Sequence, residues 1–186
     1  MIPRAVVAVV AIPVLLSSLG ACGGVGASGA PPGSTTGAAS AGTPPDFELE
    51  TLSGDSLRLG DHLGREVVLI DFWATYCEPC LASMPHLDGL YEKYKERGFI
   101  VLGVSIDGPD SVAQVRAEAQ KLGVHFPILL DQETRVVSLY NPKTSAPYSV
   151  LIGRDGSIRA KREGYTTSGG AALESDIVAA LGATGR

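Results

Sequence analysis

Two cysteines three positions apart, Cys77 and Cys80, are the residues whose types and spacing most directly indicate chemistry. Such a pair can bind a metal ion, form a structural disulfide, or form a disulfide that opens and closes during a reaction. A zinc site normally needs two such pairs, and none of the three histidines belongs to a second spaced pair. A disulfide across so short a loop is a weak stabiliser, because it removes little entropy from the unfolded chain. We therefore interpret the pair as a redox-active dithiol, with the other two roles as alternatives.

Hydrophobic patterning predicts the elements that position this dithiol. Residues 67–74 form a nearly continuous apolar run, which is typical of a strand buried on both faces. After Cys80, apolar residues recur at helical spacing, and Gly98 marks the end of this helix. A helix that follows a strand directly begins at the carboxyl end of the strand. Unpaired N–H groups at that helix start stabilise a thiolate at Cys77, and Cys80 then lies within disulfide distance.

The rest of the folded part alternates predicted strands with predicted helices. Further strands are expected over residues 99–106 and 126–131, and further helices over residues 111–122, 134–140 and 173–181. A hairpin is predicted over residues 148–164, and two short strands flank the turn at residues 53–55. This alternation indicates an α/β fold with a layered sheet and a hairpin at one edge.

The beginning of the chain predicts export. Residues 1–21 combine one basic residue with a short apolar run that Pro13 interrupts, which is typical of a secretory signal. After Cys22, residues 23–45 contain only Gly, Ala, Ser, Thr, Pro and one Val, so residues 22–45 are expected to be a flexible tether. Residues 46–186 remain for one folded domain. Acidic residues outnumber basic ones, 20 to 15, without a basic cluster, so no nucleic-acid partner is expected.

The end of the predicted signal, "LGAC" at residues 19–22, resembles the bacterial lipobox. The resemblance implies that the signal is cut just before Cys22 and that the Cys22 sulfur carries a diacylglyceryl group. The protein would then be exported and anchored by lipid on the extracytoplasmic side of a membrane, either inner or outer. The alternative is an ordinary signal peptide with an incidental cysteine, which would leave an odd thiol in an oxidising compartment.

The segment "VVLIDFWATYCEPC" resembles the active-site segment of the thioredoxin superfamily. Within it, the chain is similar to the exported TlpA/ResA-like thiol–disulfide oxidoreductases over nearly all of residues 45–186, including "PPDFELETLSG" and "APYSVLIGRDGSI". The resemblance implies a thioredoxin-like fold, with a central mixed sheet flanked by helices, extra N-terminal strands and a βα insertion. It also implies that Cys77 is the nucleophile, that Cys80 is the resolving thiol, and that Pro147 is a cis-proline facing the dithiol.

The same resemblance implies the partners. They would be exported cysteine-containing proteins, with apocytochrome c as one candidate, and a membrane donor that transfers electrons through thiols. No cofactor and no bound metal is expected. Two departures weaken an assignment to cytochrome c maturation: Tyr76 replaces a frequent Trp, and Ser83 replaces a Glu that some such reductases carry.

Asp71 is the only charged residue in the run 67–74. Burial of an unpaired carboxylate raises its pKa, and a carboxyl group that titrates near neutrality can take the proton of Cys80. The alternative is a strand-end carboxylate bonded to backbone or water. We also expect Trp73, Tyr76 and Ala146 to contact the substrate, although Trp73 and Tyr76 could equally serve in packing.

Asp107 follows a predicted strand and is interpreted as a turn residue, and Met84 as a core residue. Two other functions compete with disulfide reduction. Enzymes that resemble peroxiredoxins have a Thr three residues before the attacking cysteine, whereas this chain has Ala74 at that position. A Sco-like copper delivery protein has three residues between its cysteines and a distant histidine, whereas two residues separate the cysteines here.

Overall fold

The structure is a computed structural model and describes residues 42–183. The predicted signal at residues 1–21 lies outside this range, as do Cys22 and most of the predicted tether. Among the helices of residues 42–183, none combines the length and apolar character needed to cross a membrane.

A mixed sheet of five strands forms the centre of the fold. The strands of the described chain are β1 (Glu48–Glu50), β2 (Ser56–Arg58), β3 (Val67–Trp73), β4 (Phe99–Ser105), β5 (Ile128–Leu130), β6 (Tyr148–Ile152) and β7 (Ile158–Glu163). The central sheet has the order β5-β4-β3-β6-β7, with β3 parallel to β4 and antiparallel to β6. The strand that leads to the two cysteines is therefore the middle strand, and β6 and β7 form the predicted hairpin at one edge.

The hairpin of β1 and β2 lies beside the opposite edge of the sheet. Thr51 forms an isolated bridge to Leu129, and the Leu52 N–H donates to the Ile128 carbonyl at 2.9 Å. These contacts cover part of the edge of β5, which would otherwise present unpaired backbone groups. The hairpin corresponds to the extra N-terminal strands that the resemblance implied.

The helices of the described chain are α1 (Glu78–Tyr94), α2 (Val112–Leu122), α3 (Arg135–Tyr140) and α4 (Thr167–Gly182). A 3₁₀ turn follows α1 and ends at Gly98, and α2 ends at Gly123. Both glycines adopt the left-handed conformation, with φ of 80° and 65°, which glycine reaches without strain. The two predicted stop positions are thus confirmed.

The core forms around β3 and β4, which are buried along their whole length. Successive residues of β3 point to opposite faces of the sheet. Phe72 packs against Tyr140 and Tyr148, with ring centroids 5.8 and 6.4 Å away. Asp71 points to the other face, where it lines a cavity together with residues of α1 and α4. Met84 of α1 is fully buried, as expected, and the predicted α/β fold class is confirmed.

Candidate active site

The two cysteines form a disulfide at the start of α1. The Cys77–Cys80 Cα atoms lie 5.2 Å apart and the S–S distance is 1.99 Å. Cys77 is the N-cap of α1, in an extended conformation, and its carbonyl accepts the Cys80 N–H at 3.0 Å. Pro79 fits the first turn, where an N–H has no intrahelical partner. Residues 77–80 thus lie at the helix start that the sequence predicts.

The two sulfur-bearing residues differ in accessibility. Cys77 keeps 8% of its surface exposed, whereas Cys80 is fully buried. Cys77 therefore offers an incoming molecule a small exposed surface, whereas Cys80 offers none. This asymmetry is the one required of an attacking thiol and a resolving thiol.

Pro147 lies beside the point where the dithiol loop leaves the sheet. The Ala146–Pro147 peptide bond is cis, as the resemblance implied. In the β3–β6 ladder Tyr148 pairs with Phe72, so Pro147, one residue earlier, lies level with the end of β3. The Gly164 N–H donates to the Pro147 carbonyl at 2.8 Å and holds this segment against the end of β7. Ala146 is half-buried.

The two aromatic residues expected at the substrate rim have different environments. Tyr76 is 77% exposed and directly precedes Cys77, so it is available to an approaching molecule. Trp73 has no exposed surface, so its side chain belongs to the core and offers a substrate no contact. The structure thus favours packing for Trp73. The sequence left rim contact and packing equally open for Trp73, because every residue of β3 is buried and apolar periodicity cannot show which of them lie near a surface.

Asp71 is buried in the middle of the sheet, with 5% of its surface exposed. Its ladder neighbours are Gly103 and Ser149. The ring of Phe126 covers Gly103 so closely that a Cβ there would lie 2.7 Å from it. No described residue donates a hydrogen bond to the Asp71 carboxyl group, and burial raises its pKa from 3.8 to about 7. The raised pKa is the behaviour that the sequence predicted.

A cavity of about 310 Å³ connects Asp71 with the first turns of α1. Its lining includes Asp71, Ser83, Leu87, Pro147, Ser149 and Arg162. Ser83, which lines the cavity, donates its hydroxyl to the Cys80 carbonyl at 2.7 Å. The cavity has room for several water molecules and offers them polar partners. The cavity is thus lined by Asp71 and by a residue that contacts the backbone of Cys80, while neither cysteine belongs to the lining.

One residue of the site escaped the sequence analysis. Asp107, interpreted as a turn residue, is 4% exposed, and its carboxylate accepts hydrogen bonds from Thr75 in the dithiol loop. The only sequence signal was an acidic residue at the carboxyl end of a buried strand next to β3. Within residues 42–183, no cluster of His, Cys, Asp and Glu could hold a metal ion.

These features define a class of protein: a thioredoxin-like fold with a disulfide at the start of the helix that follows the central strand. The sequence profile of the AhpC/TSA family matches residues 42–161, and the chain belongs to this family. Within the thioredoxin superfamily it is TlpA/ResA-like.

Named relatives agree with this placement. The chain is 37% identical over 117 residues to the thiol-disulfide oxidoreductase ResA of Geobacillus kaustophilus. This match covers 63% of this chain and 65% of the Geobacillus protein. The chain is 32% identical over 123 residues to ResA of Bacillus cereus, covering 66% of this chain and 69% of that one. The match thus spans slightly less than two thirds of the Geobacillus protein.

A solved structure shows the same architecture. The crystal structure of the thiol:disulfide interchange protein DsbE of Chlorobium tepidum superposes with a TM-score of 0.71 at 33% identity. The superposition covers 76% of this chain and 97% of that chain.

Proposed function

We propose that this protein is an exported thiol–disulfide oxidoreductase that reduces disulfides of other exported proteins. The observation that carries the proposal is the Cys77–Cys80 disulfide at the start of α1, with Cys77 slightly exposed and Cys80 fully buried. The similarity to proteins named thiol-disulfide oxidoreductase ResA and to a DsbE structure supports it.

The first step uses Cys77 in the reduced protein. Unpaired N–H groups at the start of α1 stabilise its thiolate. The thiolate attacks one sulfur of the substrate disulfide, a mixed disulfide forms, and the other substrate sulfur leaves as a thiolate. Tyr76, exposed beside Cys77, and Ala146, beside Pro147, are the residues we assign to contact with the substrate chain.

The second step uses Cys80, with Asp71 as general base. Cys80 gives its proton to the Asp71 carboxylate, directly or through water in the cavity, and attacks the Cys77 sulfur. The Cys77–Cys80 disulfide forms, the mixed disulfide breaks, and the substrate leaves with its second sulfur as a thiolate that takes up a proton. Two electrons have then passed from the dithiol to the substrate. A pKa of about 7 suits Asp71 to this transfer, because the group can bind and release a proton near neutral pH.

The proposed location is the extracytoplasmic face of a membrane. The apolar segment at residues 1–21 and the "LGAC" ending support export and a lipid on Cys22. A coil of the length of residues 23–45 gives the domain at residues 46–186 a reach of about 25–30 Å from that anchor. A membrane thiol donor would return two electrons to the Cys77–Cys80 disulfide after each cycle.

The two competing functions find less support. In a peroxide reductase of the kind considered, a Thr hydroxyl assists the attacking cysteine, whereas Ala74 stands at that position here. The hydroxyl of the neighbouring Thr75 is already donated to Asp107 at 2.6 Å. Copper delivery would require ligands besides the dithiol, and the described residues supply no such cluster.

A reduction potential tests the proposal. The full chain is equilibrated with glutathione buffers of graded potential, and the fraction of oxidised dithiol is measured by thiol trapping. We expect a value near or below about −250 mV, which favours reduction of substrates. A value near −120 mV would make the protein an oxidant and overturn the direction. The Cys77→Ser variant, which cannot form the disulfide, is the control for trapping.

A further inference from the structure

The loop that leads from β3 to the dithiol is attached to the end of β4 by one buried carboxylate. Asp107 Oδ2 accepts the Thr75 N–H at 3.0 Å, and Oδ1 accepts the Thr75 hydroxyl at 2.6 Å. Oδ2 also accepts the Ser105 hydroxyl at 2.8 Å, within β4. Three donors from two residues thus satisfy a carboxylate that is almost fully withdrawn from solvent.

We propose that Asp107 is a positioning residue for the dithiol, which holds Thr75 and through it places Cys77 at the start of α1. The inference rests on the proposed function, since it assumes that Cys77 reacts as a thiolate. Thr75 lies two residues before Cys77, so little chain separates the clamp from the reacting sulfur.

Two backbone hydrogen bonds flank Thr75 in the chain, and Thr75 itself is the loop residue that bonds to Asp107 after β4. The Ile106 N–H donates to the Trp73 carbonyl at 2.9 Å and joins the ends of β3 and β4. The Cys77 N–H donates to the Ala74 carbonyl at 3.0 Å and closes the turn into α1. Between these two bonds, the bonds to Asp107 fix the loop. Hydrogen bonds to an ionised acceptor are about twice as strong as neutral ones, so this clamp is stiff.

The next strand offers a matched control. Asp131 follows β5 as Asp107 follows β4, and it is 2% exposed. Its carboxylate accepts the N–H groups of Val136 and Val137 at 3.1 and 2.8 Å. Asp131 therefore holds the start of α3, not the dithiol loop. Both aspartates are buried and both accept backbone N–H groups, but these N–H groups belong to different segments of the chain.

Two hydroxyl deletions separate positioning from general stability. Thr75→Val removes the donor on the loop and Ser105→Ala removes the donor on β4, and both leave the charge of Asp107 in place. The test uses the full chain with Cys22→Ser and Cys80→Ser, so that Cys77 is the only thiol. The rate of alkylation by iodoacetamide is measured against pH in the folded protein.

We expect Thr75→Val to raise the pH midpoint of the alkylation rate by about half a unit, because a displaced thiolate loses part of its stabilisation by the helix start. Ser105→Ala should leave the midpoint within about a tenth of a unit of the parent, since the bonds to the loop remain. Asp71 and Glu78, the acidic groups on β3 and on the first turn of α1, are the same in all variants and cancel in the comparison.

A third variant, Asp107→Asn, distinguishes release of the loop from a simple charge effect, because the two shift the pH midpoint in opposite directions. Asp107→Asn removes a negative charge, which alone would favour the thiolate and lower the midpoint. Release of the loop raises the pH midpoint of alkylation, so we expect an upward shift of the midpoint at least as large as that of Thr75→Val. Asp131→Asn should not move the midpoint. If Asp107→Asn does not fold, Thr75→Val against Ser105→Ala carries the test alone.

Three results would overturn the proposal: no upward shift in Thr75→Val, a downward or absent shift in folded Asp107→Asn, or equal shifts in the loop variants and their controls. Alkylation needs no protein substrate. Failure of the parent protein to reduce disulfides would therefore remove the proposed function and leave this measurement of positioning valid.

Discussion

Replacement of Asp71 by Asn should stabilise the oxidised protein at pH 8. Burial raises the pKa of the carboxyl group from 3.8 to about 7. A shift of about three units corresponds to about 4 kcal/mol. Because the folded pKa is raised, the favourable contribution is fully present below pH 3.8, falls as the pH rises, and is lost above about pH 7. Above pH 7 the fold therefore carries the whole unfavourable energy of a buried charge.

The Asp71→Asn variant removes the unfavourable energy of the buried charge and adds the smaller unfavourable energy of a buried amide. A buried amide without a partner costs about 1–3 kcal/mol, and water in the cavity at Asp71 keeps this near the lower end. The net expectation is a gain of about 1–3 kcal/mol at pH 8, or an increase in Tm of about 3–10 °C. Near pH 4 wild-type Asp71 is protonated, so the gain should disappear or change sign.

Denaturant unfolding of both oxidised proteins at pH 4.5 and pH 8 measures this difference. Asp131→Asn is the control, because its carboxylate accepts two backbone N–H groups, and its loss should destabilise the fold. An Asp71→Asn effect of the same sign and size at both pH values would refute the reasoning, since the energy would then not come from a buried charge.

The kinetic consequence of Asp71→Asn is separate from the stability effect. With the proposed general base removed, resolution of the mixed disulfide by Cys80 should slow by about a hundredfold at pH 8. The first attack by Cys77 should be almost unchanged. Stopped-flow measurement of both steps between pH 6 and 9 should show a midpoint near 7 for resolution in the wild type alone. Equal resolution rates in both proteins across this range would exclude Asp71 as the base.

Three further predictions concern the cysteines and the rim. Cys80→Ser should accumulate mixed disulfides with exported proteins through Cys77, as seen by thiol trapping; accumulation in Cys77→Ser instead would reverse the two roles. Cys22→Ala should leave the precursor uncleaved and without lipid, and a wild-type intact mass lacking lipid would contradict the anchor. Tyr76→Ala should lower kcat/KM for a protein disulfide by about three- to tenfold, because an exposed aromatic contact is lost. Val178→Ala, an exposed apolar control on α4, should leave it unchanged.

Local pattern was enough to predict most of the fold. Continuous apolar runs identified β3 and β4, because strands covered on both faces carry few polar residues. Helical periodicity with glycine stops identified α1 and α2, although α1 gives way to a 3₁₀ turn at Lys95, before the glycine at 98. The position of Cys77 at a helix start followed from the same local signals, since the strand, the loop and the helix are consecutive in the chain.

Local sequence pattern could not predict the features that depend on contacts between distant segments of the chain. Asp107 accepts hydrogen bonds from the nearby Ser105 and also from Thr75, 32 positions earlier, and local pattern could not show the second contact. The cavity beside Asp71 needs α1, β6, β7 and α4 together, and no short stretch of sequence contains it. The burial of Trp73 likewise depends on layers that cover both faces of β3.

Three aspartates are buried within residues 42–183, and they differ in their hydrogen-bond donors. Asp107 and Asp131 accept backbone N–H groups and thereby fix a loop and a helix start. Asp71 has no donor among the described residues, so the energy of its burial appears as a raised pKa. An Asn at position 71 would fill nearly the same volume without a buried charge, so packing alone gives no reason for a carboxyl group there. The proposed role as a general base does require the carboxyl group, because its pKa of about 7 lets it bind and release a proton near neutral pH. The raised pKa therefore links the expected loss of stability above pH 7 to the proposed proton transfer, and the Asp71→Asn variant should change both.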